Sequence, residues 1–143
     1  MMKNIFLFIV FMCTFNLMGQ DLKKNIHPID VNYKKCLDIP VNQDTKGMIS
    51  CAAEAKKAWE NERNKYYKLL QNKLTEVQKK KLIASQEAWK KFKDQEFSFS
   101  SDLYFGIGGT MWHFVAADNE TEFIKQRANR LKSYYDTLTE ENF

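Results

Sequence analysis

The sequence predicts an all-α fold, a small up-and-down helical bundle of about three helices with one disulfide near the N-terminal end. Three observations predict it. Only 5 Gly and 2 Pro interrupt 143 residues, while Lys, Glu, Gln, Leu and Ala, good helix formers, are plentiful. Long stretches repeat their apolar residues three and four apart, the period of one buried helical stripe. The connections between them are a few residues long and carry cap or turn chemistry, so consecutive helices must run antiparallel. A chain of this length makes one domain, and an aromatic content of 14% supplies bulk for its core.

The chain opens with MMKNIFLFIVFMCTFNLMGQ. Lys3, an apolar run from Ile5 to Phe15, and small Gly19 ahead of polar Gln20 and Asp21 have the layout of a secretory signal peptide over residues 1–19, cut after Gly19 or Gln20. The run is short for a membrane span, which needs about 20 residues. Cys13 lacks the small preceding residue of a lipidation site and reads as part of the leader. The expected location is therefore outside the cytosol, periplasmic or secreted from a Gram-negative envelope, with no membrane span after cleavage. Loss of the leader removes Lys3 and leaves the chain mildly basic. The short run Lys79, Lys80 and Lys81 reads as a solvated helix face, and nucleic acid is not an expected partner.

Residues 20–35, polar with a single Pro28, read as an extended lead-in. Cys36 and Cys51, an even pair in an exported chain, read as a disulfide. With distant His27 and His113 they lack zinc-site spacing, so neither metal nor cofactor is expected. A first long helix is predicted from about Lys46 to Lys73, capped by Asp44 or Thr45. Gly47 slightly weakens its first turn, and its stripe is Met48, Ala52, Ala55, Trp59, Tyr66 and Leu70. Thr75 with Gln78 matches a capping box and starts a second helix running to about Tyr104, with the stripe Leu82, Ser85, Trp89, Phe92, Glu96, Phe99 and Leu103. Gly106, Gly108 and Gly109 then supply a helix-to-helix turn. No strand precedes them and no Lys follows as in a P-loop, which favours a turn over a phosphate cradle. A third helix runs from about Thr110 or Met111 to Leu138 on Trp112, Ala116, Phe123, Leu131, Tyr134 and Leu138. It has room for a kink near Asn119, with Thr121 as an alternative cap, and residues 139–143 form a frayed tail.

The leader, the Cys pair, NKYYKLL, SQEAWKKFKDQEF, the Gly-rich turn and KQRANRL occur in that order, and the set resembles the lysozyme-inhibitor LprI-like N-terminal domain family of bacterial envelope proteins. Asn64, Tyr67, Gln86, Trp89, Asp94, Arg127 and Leu131 match its pattern, over roughly residues 36–138. Two departures stand out. Lys93 replaces an Arg, losing a planar two-pronged donor. Phe97 stands where a second Cys is usual, and that Cys's partner near Asp118 or Asn119 is missing too, leaving packing to hold the last two helices together.

Gln86, Asp94 and Glu96 raise the question of acid–base chemistry. Catalysis needs two such groups converging on one pocket, yet positions 94 and 96 point about 200° apart on a helix. The expected role is a structural polar network in which Glu96 or Asp94 meets Arg127 or Asn64, since an unpaired buried charge costs several kcal/mol. The reading is non-enzymatic. The resemblance implies inhibition of a lysozyme, a protein partner; the alternative is an envelope scaffolding module, which an exposed apolar patch beside the Gly turn would favour. Animal lysozymes are basic, as is this chain, so attraction would need a local acidic or apolar insert. The candidates are the turn Gly106, Ile107, Gly108, Gly109 with Trp112, and the acids Asp118, Glu120 and Glu122.

Overall fold

The structure, a computed structural model, describes residues 26–140. Its helices in chain order are α1 (Pro28–Leu37), α2 (Thr45–Lys73), α3 (Glu76–Ile107) and α4 (Met111–Glu140), with a short 3-10 turn at Pro40–Asn42. The described residues contain no strand. The expected leader at 1–19 lies outside the described residues, as do 141–143 of the expected tail, whereas Thr139 and Glu140 are helical.

α1 corrects two expectations, the extended lead-in, where residues 28–35 are helical and residues 20–25 lie outside the described residues, and the count of about three helices. Pro28 is not a breaker here. It occupies the first turn, where its missing N–H would have had no partner and its fixed φ suits a helix. His27 Nδ1 accepts the Ile29 N–H at 3.3 Å, Asp30 lies in the first turn, and Lys34 and Lys35 lie in the last, matching the helix dipole at both ends. α1 buries none of its own residues. It is held from outside: by the Cys36–Cys51 disulfide, by Asp30 with Lys125 at 3.0 Å, and by the Tyr33 hydroxyl donating to Asp118 Oδ1 at 2.8 Å. Burial first, and then Asp118, raise the Tyr33 pKa above its ordinary value of 10. A raised pKa means the bond is intact at neutral pH and its stabilisation fades only as the phenol ionises in strong alkali.

The long helices begin where the caps predict. Asp44 is the cap of α2, accepting the Gly47 N–H at 2.6 Å. Thr75 and Gln78 form the full capping box of α3, and Gly108 and Gly109, at φ 82° and 88°, make the turn into α4. Gly106 is still helical, so α3 runs three residues past Tyr104. α4 is continuous through Asn119. Thr121 is not a cap. Its buried hydroxyl lies 3.0 Å from the Ala52 carbonyl and 2.8 Å from that of Ala117, so its one proton ties α4 to α2 or to its own preceding turn.

Gly47 has a packing role as well. A Cβ there would stand 2.5 Å from Asn42 Cα, because the 3-10 turn folds directly onto the first turn of α2. Gly47→Ala is therefore expected to destabilise by about 1–3 kcal/mol, despite the better helix propensity of Ala. A urea midpoint equal to or above that of the unmodified chain would contradict this.

The principal interface is α2 against α4. These helices run parallel: Thr45 meets Thr110, Ala52 meets Thr121, and Tyr66 meets Tyr135. α3 runs antiparallel to both and packs mainly on α4, so the alternating direction predicted for a bundle is present with α1 as its first rod. The core has two centres. One gathers Tyr66, Leu70, Leu82 and Leu131 near the α2–α3 turn. The other gathers Trp59, Ile124 and Ala128, with Ile29, Trp89 and Phe97 packed around them.

α3 differs from its predicted phase. The predicted stripe steps by 3.5 residues on average, as a coiled-coil seam does, but a straight helix drifts about 20° per heptad from that repeat. Leu82 and Trp89 face inward as expected, and the buried face then passes through Gln86, Phe97 and Tyr104. Ser85, Phe92, Phe99 and Leu103 are left exposed. On α4, Trp112 and Tyr134 likewise lie outside, and Ile124, Ala128 and Tyr135 take the inner positions.

Candidate functional site

The residues of the expected polar and aromatic network divide between two places. Gln86, Trp89 and Arg127 come together with Arg63 in the middle of the bundle. Gln86 is buried, and its Oε1 accepts the Arg127 Nε–H at 3.1 Å while Arg127 Nη2 donates to Ser85 at 3.2 Å. Over the Trp89 ring lie two guanidiniums, Arg127 with Cζ 5.8 Å from the centroid and Arg63 at 5.2 Å. Burial is the main cause that lowers both arginine pKa values, and the Arg63 charge lowers that of Arg127 further. Asn64 is exposed and accepts both Nε–H and Nη2–H of Arg63. Tyr67 packs beside the Tyr66–Leu131 core.

The carboxylates do not join them, which corrects the pairing expected of Glu96 or Asp94 with Arg127 or Asn64. Asp94 is mostly exposed and pairs with its neighbour Lys93 at 2.7 Å. Glu96 lies nearly three turns beyond Gln86 along α3, and among the described residues it forms no salt bridge. The physical reason is position along the helix: Arg127 projects from α4 at the level of Ser85 and Gln86, where an amide oxygen and a hydroxyl take its Nε–H and an Nη2–H. Arg127→Ala should strand the buried Gln86 carbonyl and cost about 1–3 kcal/mol. An unchanged melting temperature would show that this bond carries no stability.

The two family departures are absorbed by aromatic packing. Phe97 meets Phe123 edge-on at 5.5 Å and joins the Trp59 centre, and the Lys93 ammonium lies 5.2 Å from its ring. α3 and α4 are further linked by the Asn119 amide donating to the Tyr104 hydroxyl at 2.9 Å. Packing is thus supplemented by hydrogen bonds between these helices.

At the Gly turn the candidate contact residues form an aromatic end. Trp112 stacks on Tyr104 at 5.8 Å and Phe105 meets His113 edge-on at 4.4 Å, so His113 is an aromatic partner. Ile107, the last residue of α3, and Met111, the first of α4, are each 52% exposed. Beside this end, between α3 and α4, runs an open groove of about 260 Å³ bordered by Glu96, Tyr104, Glu120, Glu122 and Phe123. Glu120 is paired with Lys56 at 2.7 Å and Glu122 with Lys125 at 3.3 Å. Both carboxylates on this border are thus already engaged by lysines.

The sequence reading missed Arg63 as the second guanidinium over Trp89, and placed Phe92, Phe99 and Leu103 in the core. A strict 3.6-residue period along α3 would have turned them outward. A further signal lies in the sequence itself: from Gln95 to Ile124 there is no Lys or Arg, while Glu96, Asp102, Asp118, Glu120 and Glu122 are all acidic.

No helix among the described residues is long and apolar enough to cross a membrane. A comparison with curated proteins gives no match. Among solved structures, the chain is similar to a crystal structure of an uncharacterized protein from Burkholderia thailandensis, at 26% identity and a TM-score of 0.74. The similarity covers 80% of this chain and 56% of that one, so this chain spans little more than half the length of that relative. The family described as lysozyme inhibitor LprI matches residues 36–131, from the first cysteine of the disulfide to the buried Leu131 of α4. Two thirds of the sequence thus carries the family pattern, and the chain belongs to the lysozyme inhibitor LprI family.

Proposed function

We propose that this protein is an exported, non-enzymatic binding domain that inhibits a lysozyme by occupying its cleft. The observation that carries this reading is the family match over residues 36–131. The Cys36–Cys51 disulfide supports export, because such bonds persist in oxidising compartments. The leader-like residues 1–19 support it from the sequence side. The test is a turbidity assay: suspended bacterial cell walls, a basic animal lysozyme, and the purified chain without its leader at micromolar concentration. The expected result is slowed clearing that follows the protein concentration. No protection at micromolar protein would refute inhibition.

A second reading, an envelope scaffolding module that binds another envelope protein, is favoured by one observation. Ile107, Met111 and Phe105 are exposed together beside the Gly108–Gly109 turn, a patch suited to a standing protein contact. The same assay separates the two readings, since a scaffold leaves lysozyme activity unchanged.

A further inference from the structure

We infer that the outward face of α3 near the Gly turn, centred on Phe99 and Leu103, is the contact surface of this domain, and that it fits a cationic protein. The inference rests on the inhibitor reading and adds to it the face that binds and the chemistry that the partner presents.

Exposed apolar side chains are ordinary when scattered and informative when gathered. Half of the large exposed apolar residues among those described lie between Phe92 and Trp112. On α3, Phe92, Phe99 and Leu103 are 55%, 64% and 49% exposed and share one side of the helix, at successive spacings of seven and four residues. No helix of the bundle covers them, because the true helical phase turns Phe97 and Tyr104 toward α4 instead. Phe92 also touches Phe123 of α4, with ring centroids 5.6 Å apart, so the stripe continues into the groove that Phe123 borders.

Charge then selects the kind of partner. The whole chain is positive, with a formal net charge of +4, but the charge is segregated. From Asn64 to Lys93, around the α2–α3 turn, there are nine lysines against Glu76, Glu87 and no other acid. From Gln95 to Ile124, around the α3–α4 turn, there are five carboxylates and no Lys or Arg. The start of α2, beside the α3–α4 turn, adds Lys46, Lys56 and Lys57 against Asp44 and Glu54 and leaves that end acidic on balance. A cationic protein is repelled by the first end and drawn to the second, so the segregation orients the encounter that net charge alone would oppose. Glu120 and Glu122 already have lysine partners, and Asp118 accepts from Tyr33, which leaves Glu96, on the border of groove and stripe, and exposed Asp102 beside Leu103 as the carboxylates that can receive a partner's Lys or Arg.

The test measures binding of the purified chain to a basic animal lysozyme and to cytochrome c, a basic protein of unrelated fold, by titration calorimetry at low and high salt. Lysozyme is expected to bind. Phe99→Ser with Leu103→Ser should weaken that binding by about tenfold or more. Glu96→Gln with Asp102→Asn should weaken it by about threefold and flatten its salt dependence. Lys80→Gln with Lys81→Gln, at the opposite end, should not weaken it. Circular dichroism checks that each variant folds, and the single Phe99→Ser replaces the double variant if that one does not. If lysozyme binds and all variants bind equally well, the surface is wrong and the inhibitor reading stands. If cytochrome c binds as tightly, with the same sensitivity to Phe99 and Leu103, the surface stands and the inhibitor reading falls. Binding to neither protein overturns both.

Discussion

Replacing Trp59 with Ala is expected to lower stability by about 3–5 kcal/mol, the range for removing a large aromatic side chain from a core. Trp59 is 1% exposed and sits where all four helices converge. His27, the cap of α1, lies 4.4 Å from its ring. Trp59 forms one core cluster with Ile124 and Ala128 of α4, against which Ile29 of α1 and Trp89 and Phe97 of α3 pack. A cavity bounded by four elements cannot close by shifting one of them, because the shift that fills it would open a gap elsewhere. α1 should suffer most, since it buries nothing of its own and leans on this ring. The melting temperature, followed by circular dichroism, should fall by roughly 10 °C or more, with α1 amides losing hydrogen-exchange protection first. The exposed Phe99→Ala, by contrast, should stay within about 0.5 kcal/mol of the parent. A Trp59→Ala variant melting within two or three degrees of the parent, on the order of a 1 kcal/mol effect or less, would show that the second core centre is not the keystone described here.

Removing the disulfide has the next largest expected effect. Cys36 and Cys51 are separated by 15 positions, and opening a loop of that length costs about 3 kcal/mol in the chain-entropy model. The consequence is local as well as global. The bridge fixes the C-terminal end of α1 and, with it, the 3-10 turn that lies against Gly47. Once it is open, α1 keeps the polar links Tyr33–Asp118 and Asp30–Lys125 and the packing of His27 and Ile29 at the Trp59 centre. Two of these are partly solvated polar links worth little individually. Cys36→Ser with Cys51→Ser, or treatment with reductant, should therefore free α1 before the three long helices melt. Tryptophan emission should shift to the red as Trp59 meets water, while most of the helical dichroism remains. A reduced protein with unchanged urea midpoint and unchanged emission would mean that packing alone holds α1.

The stripe of α2 was legible because Ala52, Ala55, Trp59, Tyr66 and Leu70 are covered on a single side by a parallel neighbour. α1 was not legible, because Pro28 reads equally as a breaker or as a first-turn residue, and only the docking of His27 on Trp59 decides between them. Arg127 was recognisable as a network residue, but its partner was assigned to the wrong side chains. Reach between helices depends on their relative height, which no spacing along one helix reports.

What the sequence by itself determined was local: the ends of the long helices, the pairing of the two cysteines, the family, and the acidic stretch from Gln95 to Ile124. Caps, turns and disulfide candidates rest on a residue's chemistry and its near neighbours, so they survive without knowledge of the fold. Only the tertiary structure decided the fourth helix, the rotation of α3, and hence that Phe99 and Leu103 face solvent. A helix's inward face is chosen by the neighbour that covers it, and over nine turns the small difference between a 3.5- and a 3.6-residue repeat accumulates to roughly a quarter turn, enough to carry the end of a predicted stripe off the covered face.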